Sequence, residues 1–282
     1  MQNALLVGTI VAVLAGVVGF FVVLRGISFA AHSLAQMGFA GAAGAVLLGV
    51  DPLWGLVAFA GVGAMGLGLL GARAHGRDVA TALLLVAALG AGALFLALNT
   101  AYATAVFTLL FGTIVGVSRA QVGQTGLLAL GCMVALGVLY RPLLLATVTP
   151  ELAAARGVPV RLVGLLFLVV VGVAAAVTVP TVGTLLIFSL LVGPAGAAMH
   201  LTHRPATALL LSASLGVGAT WAGMILAYIT GWPAGFFISA LVALFYVAAR
   251  LVGPHRSRRA ERDTGLAVAA TALAPPVDRA AP

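Results

Sequence analysis

The sequence predicts an all-α membrane protein, a polytopic helical bundle with about nine transmembrane helices. Hydrophobic residues make up 63% of the 282-residue chain, charged residues make up 7%, and the mean hydropathy is +1.22. Soluble domains are about half apolar and one quarter charged, so no soluble core would accommodate this composition. The apolar residues also form successive segments of roughly 17 to 25 residues, which is the length of one bilayer crossing.

Taken in order, the apolar segments give nine predicted spans. The first is too long for a signal peptide and has no positive charge before it. Residues 103–117 are left over as a short segment, which we predict to be a re-entrant or interfacial helix instead of a tenth crossing. The predicted spans are 4–24, 34–50, 53–71, 79–98, 121–140, 161–179, 182–200, 205–228 and 233–251.

The arginines predict the orientation of the chain in the membrane. All 14 basic residues are arginine, and basic residues in short loops stay on the cytoplasmic side. Nine spans with the N-terminus outside place Arg119 outside and the other arginines before the tail inside. The net charge of +8 is not taken as a sign of nucleic-acid binding. We therefore predict a multi-pass protein of the cell membrane, with a transmembrane domain over 1–252 and a disordered cytoplasmic tail over 253–282.

One interruption of the apolar segments is a candidate functional feature. Gly193 and Pro194 break a span near its middle, and a proline there frees a backbone carbonyl that water or a neighbouring helix must satisfy. This pair marks either a pathway or a simple kink. Cys132 is the single cysteine; it excludes an internal disulfide and a cysteine-based metal cluster, and its apolar context indicates a small buried side chain.

A loop with its own helix signals follows the fifth predicted span. Thr149 is placed to cap a helix, Pro150 suits the first helical position, and Glu151 is favourable at the positive helix end. Gly157 ends the pattern. An Ala-rich helix of under two turns does not form alone in water. The loop is therefore either a connector on the membrane surface or a docking helix for a soluble partner.

Four motifs in order resemble the permease subunit of zinc and manganese ABC importers. The loop 149–159 is similar to that family's Pro-Glu-x-Ala loop, and 182–198 is similar to the spans that follow it. Residues 111–118 are similar to its Phe-Gly-Ser-Ile-Leu-Gly-Val segment, and 25–41 occupy the place of its first-loop signature. The resemblance covers about residues 5–250.

The resemblance implies a type II ABC importer permease fold, working as a homodimer or with a paralogue. It also implies cytoplasmic ABC ATPase subunits and an extracytoplasmic solute-binding protein as partners. The chain has no Walker-type phosphate loop, so ATP would be hydrolysed by the partner, and this chain would be neither an enzyme nor the binder of a cofactor. Loop 149–159 would be the coupling helix, with Thr149, Glu151, Ala154, Arg156 and Gly157 at the ATPase.

The chain departs from the family at its metal-binding signature. The family has an aspartate and a histidine four residues apart, and this sequence has His32 and Gln36 in their places; a second family aspartate aligns with Gly231. The resemblance implies that two His32 and two Gln36 side chains converge across a dimer's pore and pass a divalent ion. Imidazole suits zinc better than manganese. The alternative is a packing or hydrogen-bonding role for His32.

Two other functions remain open from the sequence. A secondary transporter or channel would work without an ATPase, but the predicted spans lack the carboxylates that couple transport to protons or sodium. A permease of the same architecture would also suit a metal chelate, since a pre-coordinated metal needs no ligands from the pore.

Overall fold

The computed structural model describes residues 2–70, 74–98, 117–183 and 187–273, and every regular element within these ranges is an α-helix. This confirms the predicted all-helical class. The helices are α1 (Gln2–Leu24), α2 (Ser28–Leu47), α3 (Pro52–Leu70), α4 (Ala74–Ala97), α5 (Arg119–Val148), α6 (Pro150–Ala155), α7 (Val160–Val182), α8 (Ile187–Leu201), α9 (Pro205–Thr230) and α10 (Ala234–Leu273).

Seven of these helices are long and apolar enough to cross a membrane: α1, α3, α4, α5, α7, α9 and the first part of α10. The nine predicted spans are therefore not confirmed as a count. Helix α2 has 20 residues but is not among the seven, since every span-length stretch of it contains His32, Ser33 and Gln36. Helix α8 has 15 residues, which at 1.5 Å per residue is shorter than a hydrocarbon core of about 30 Å.

Helix α5 shows that the fifth predicted span was drawn too short. We predicted residues 121–140, but the helix runs from Arg119 to Val148 and contains Pro142. At its start, the Gln121 N–H donates to Ser118 Oγ and the Ser118 N–H donates to Gln121 Oε1, which is a capping box. Arg141 therefore lies within this helix and not in a loop. At 1.5 Å per residue, the 30 residues of the helix are longer than a hydrocarbon core of about 30 Å.

The boundary between α7 and α8 also differs from the predicted span at 182–200. Helix α7 continues to Val182 through Pro180, and Gly183 then adopts a φ of +88°. A left-handed residue stops the helix, because only glycine takes that conformation without strain. Helix α8 then begins at Ile187.

Two predictions concern parts of the chain that the structure covers partly or not at all. Helix α10 extends to Leu273, so residues 253–273 of the predicted disordered tail have a helical backbone. The predicted boundary between the transmembrane domain and the tail, at residue 252, stays a prediction. The segment 103–117 lies outside the described residues except for Val117.

The helices pack as two groups that meet at α1, α5 and α7. In the first group, α2 packs chiefly on α3 and α4, and α3 packs on α7. In the second group, α1 packs on α8 and α9, and α10 packs on α8 and α9 as well. Phe21 of α1 and Phe167 of α7 are fully buried where the groups meet, with ring centroids 6.1 Å apart. Small residues allow close contact: a Cβ on Gly16 would lie 2.8 Å from the Ala213 Cα.

Candidate metal translocation site

A tight turn between α1 and α2 sets the position of the candidate ligands. Gly26 has a φ of +65°, and the Ile27 N–H donates to the Val22 carbonyl at 3.1 Å while the Gly26 N–H donates to the Val23 carbonyl at 3.0 Å. This is the Schellman arrangement that ends a helix. Helix α2 therefore begins at Ser28, six residues before the predicted start of its span.

His32 and Gln36 lie one turn apart on α2, and both are half-buried. The Nδ1 atom of His32 is itself buried and has no hydrogen-bond partner within the described part of the chain. The His32 ring meets the Phe188 ring edge-on, with centroids 5.1 Å apart and planes at 75°. A buried polar atom without a partner costs about 1–3 kcal/mol and calls for an explanation, such as an ion, a water or a catalytic role.

Phe188 connects His32 to a half-open cavity of about 640 Å³ between α1, α8 and α10. The lining is mainly apolar, and its polar side chains are two serines, one histidine and one tyrosine. Its residues are Val23, Phe188, Ser189, Val192, Gly193, Gly196, Met199, His200, Ser239, Val242, Ala243 and Tyr246. The contact between His32 and Phe188 thus joins α2 to α8, the helix that contains Gly193 and Pro194.

The Gly193–Pro194 pair lies inside α8 without ending it. Pro194 is buried, and Gly193 lines the cavity. A Cβ on Gly193 would overlap Val242 of α10, so the glycine allows the two helices to approach closely. Proline cannot donate to the carbonyl four residues earlier, here that of Leu190. The pair therefore both packs α8 against α10 and forms part of the cavity wall.

The described residues contain no group of three or more His, Cys, Asp or Glu side chains that could hold a metal ion. Gly231, where the family's second aspartate aligns, ends α9 with a φ of +73°, and its N–H donates to the Ala227 carbonyl. Glycine suits this left-handed position, and a side chain there would be strained. Within the described residues, His32 and Gln36 therefore form no closed coordination shell for a metal ion.

Loop 149–159 forms the short helix that the sequence predicts. Pro150 and Glu151 stand in its first turn, and Gly157 ends it with a φ of +76°. Thr149 occupies the N-cap position, but within the described structure its side chain makes no capping hydrogen bond. The Thr149 carbonyl instead accepts from the Ala153 N–H at 3.0 Å.

Helix α6 has one buried and one exposed side. Ala153 is 0% exposed, where α6 packs against α5 and α7, whereas Ala154 and Arg156 are exposed. Leu152 is 44% exposed. The helix thus presents a mixed apolar and charged surface.

The sequence analysis missed three residues that the structure places at these sites. Phe188 contacts His32, Leu152 is the exposed apolar side chain of α6, and His200 packs its ring on Tyr246 at 5.5 Å in the cavity wall. No local pattern signals Phe188 or the pairing of His200 with Tyr246, because each contact joins helices far apart in sequence. Leu152 was detectable as the one large apolar residue among Pro150–Ala155.

Comparisons with known proteins identify the family of this chain. The ABC 3 transport family matches residues 1–253. The chain is 27% identical over 255 residues to the manganese transport system membrane protein MntC of Halalkalibacterium halodurans, covering 90% of this chain and 87% of that protein. It is 26% identical over 259 residues to the manganese import system permease protein ScaB of Streptococcus parasanguinis, covering 92% of each.

A solved structure extends the likeness to the fold. PsaBC from Streptococcus pneumoniae, determined in complex with Fab, superposes with a TM-score of 0.80 at 25% identity, covering 88% of this chain and 90% of that one. The sequence match and the shared arrangement of helices both cover nearly all of the membrane region. This chain therefore belongs to the ABC 3 transport family.

Proposed function

We propose that this chain is the membrane-spanning permease subunit of an ATP-driven importer of divalent transition-metal ions. The match to the ABC 3 transport family over residues 1–253 carries the proposal. Relatives aligned over about nine-tenths of the chain are named as manganese transport or import proteins, so we take manganese as the first candidate cargo. A preference for zinc over manganese follows only from the His32 imidazole and stays a prediction.

The proposed ion path runs past His32 and Gln36 and along the cavity wall at Phe188 and Gly193. The unpartnered Nδ1 of His32 supports this path, because a passing cation would accept its lone pair. Conduction requires that an ion leave as readily as it enters, so a few weak ligands serve transport better than a tight site. The Gln36 amide oxygen adds a neutral ligand one turn along the helix.

The proposed partners are a cytoplasmic ABC ATPase, an extracytoplasmic solute-binding protein and a second permease. The exposed surface of α6, from Glu151 to Arg156, would enter a groove of the ATPase. Helix α7 contacts both α6 and α2, so a movement at the docking helix has a packed route to His32. The cavity is open on one side, and a second copy would close it and place a second His32 near the path.

The proposed topology has nine spans, with the N-terminus outside and the C-terminus in the cytoplasm. The seven long apolar helices support seven of these crossings, and α2 and α8 would supply the other two within the bundle. Helix α8 is short, but most of its residues are buried, so protein instead of lipid surrounds them. Residues 103–117, predicted to be a re-entrant or interfacial helix, lie outside the described residues except for Val117.

Metal uptake by variants of His32 tests the proposal. In cells that depend on this transporter, His32→Ala should lower the initial rate of manganese uptake about tenfold, which is about 1.4 kcal/mol on the barrier. His203→Ala is the matched control, because His203 is exposed at the end of α8. Both variants must reach the membrane at wild-type level.

Two outcomes would contradict parts of the proposal. Equal uptake by the two variants would make His32 a packing residue and favour a pre-coordinated metal chelate as cargo. Uptake that continues when ATP hydrolysis is blocked would overturn the ATP-driven importer and favour a secondary transporter or channel.

A further inference from the structure

A second cavity, of about 220 Å³, lies at the end of the bundle where α1 turns into α2. It is separate from the proposed ion path and is lined by none of the path residues. Its walls come from the α1–α2 turn, the end of α3, the start of α4 and the start of α7. The lining residues are Arg25, Ile27, Ala30, Leu67, Gly68, Thr81, Val160, Arg161, Gly164, Leu165 and Leu168.

Two arginines from different parts of the chain face this cavity. Arg25 follows α1, and Arg161 lies in the first turn of α7. Like charges held at one cavity repel each other, and a basic residue at a helix N-terminus opposes the helix dipole. None of the described lining residues is acidic; Asp78, one turn before Thr81 on α4, is exposed and lies outside the lining. The arrangement therefore favours an anion.

The Arg25 guanidinium is held in place. Its Nη1 donates to Thr147 Oγ1 at 3.3 Å, and its Cζ lies 5.8 Å from the centre of the Phe167 ring. Gly164 lies next to it: a Cβ there would lie 3.4 Å from the Arg25 Nη2, which is van der Waals contact. A guanidinium has five N–H donors in a planar fork, and a fixed fork matches the geometry of phosphate oxygens.

The surroundings of the cavity indicate which anion would bind. The volume is below the roughly 300–1,000 Å³ of pockets for drug-sized ligands, and it is large enough for a phosphate with a short polar group. Exposed large apolar side chains lie within two residues of lining residues in the sequence: Leu69 (73%) follows Gly68, Leu83 (67%) is two residues after Thr81, and Leu162 (52%) follows Arg161. Acyl chains of a lipid bound at the cavity would meet such apolar side chains. Basic pockets between membrane helices on the cytoplasmic side are known to bind anionic lipid headgroups.

We propose that the cavity between the α1–α2 turn, α3, α4 and α7 binds the headgroup phosphate of an anionic phospholipid, with Arg25 and Arg161 as its ligands. The lipid joins α7 to the α3–α4 end of the bundle. This inference rests on the proposed topology for the cytoplasmic side of the cavity, but on neither the cargo nor the ATPase, so a failed lipid measurement would leave the transport proposal standing.

The lipid that the purified protein retains tests whether the cavity binds an anionic phospholipid. The full chain is reconstituted into vesicles of equal parts phosphatidylglycerol and phosphatidylcholine, extracted in detergent and examined by native mass spectrometry. The wild type should keep phosphatidylglycerol in preference to phosphatidylcholine. Arg161→Gln should lower that preference about fivefold, the factor for one basic residue near an anionic surface. Arg250→Gln, an exposed arginine on α10 outside the cavity, should leave it unchanged.

Further variants and a phosphate control complete the test. Gly164→Leu fills the cavity without changing charge and should lose the preference, whereas Arg161→Lys should keep most of it. Equal preference in Arg161→Gln, Gly164→Leu and Arg250→Gln would overturn the proposal. Inorganic phosphate is added alone to lipid-depleted protein as a separate arm. If the phosphate raises the unfolding temperature of the wild type as much as phosphatidylglycerol does, and Arg161→Gln abolishes that rise, the site binds a free anion. The assignment of a lipid would then be wrong.

Discussion

The Ser212 hydroxyl donates a buried hydrogen bond of 2.7 Å to the Gly16 carbonyl, joining two helices whose residues are 196 positions apart. Ser212 is 0% exposed, and Gly16 lets the backbone of α1 approach α9 within contact distance. In a bilayer the helices gain little from burying apolar surface, so close packing and hydrogen bonds between helices supply the attraction.

Ser212→Ala should destabilise the bundle through the loss of this bond. Hydrogen bonds between membrane helices contribute about 0.6 kcal/mol on average and up to about 1.7 kcal/mol, so we expect a loss of about 1 kcal/mol in a denaturation experiment in detergent. Ser214→Ala is the control, because Ser214 is exposed on the same helix and, among the described residues, its hydroxyl donates to the nearby Leu211 carbonyl. Equal stability of the two variants would contradict the assigned role.

The contact between α2 and α3 depends on a reciprocal pair of glycines. A Cβ on Gly41 would overlap the Gly55 carbonyl oxygen, and a Cβ on Gly55 would overlap the Gly41 carbonyl oxygen. Gly41→Ala or Gly55→Ala should therefore cost about 1–3 kcal/mol by overpacking. Gly61→Ala, also on α3, meets no described atom within 4 Å and should be neutral or slightly stabilising.

Thermal unfolding midpoints in detergent compare these three glycine variants. The two variants at the α2–α3 contact should unfold at lower temperature than the wild type, and Gly61→Ala should not. A midpoint for Gly41→Ala equal to that of Gly61→Ala would show that α2 and α3 are not packed at this contact.

Neighbouring alanines on α6 separate docking from folding. Ala154→Arg should leave the amount of folded protein in the membrane unchanged, because Ala154 is exposed, but should lower ATP-driven uptake about tenfold by obstructing the docked partner. Ala153→Arg should lower the folded amount, because Ala153 is 0% exposed. Normal uptake by Ala154→Arg at normal protein level would contradict the docking role of α6.

Cysteine labelling tests the proposed topology. With Cys132→Ala as background, Gln2→Cys and Val50→Cys should react with an impermeant thiol reagent added outside. Ala155→Cys and His203→Cys should react only after the membrane is opened. These four positions are exposed, so the pattern of labelling reports the side of the membrane. Labelling of Ala155→Cys from outside would show that the spans before it are miscounted.

Local signals in the sequence predicted what local physics decides. Composition and segment length predicted a helical membrane protein, because the hydrocarbon core allows only helices or closed barrels. Helix α6 was predicted almost residue by residue, because Pro150 and Gly157 act on their own neighbours. The positions of His32 and Gln36 one turn apart also followed from the sequence, through the helical repeat alone.

Tertiary structure decided everything that depends on contacts between distant segments. Helix α5 continues past Arg141 to Val148, where Thr147 receives a hydrogen bond from Arg25, 122 residues earlier; no local rule predicts that extension. Helix α8 is too short for a span by length alone, and its buried packing is visible only in the assembled bundle. The Phe188 ring beside His32 and the cavity next to it likewise arise only when α1, α2, α8 and α10 are brought together.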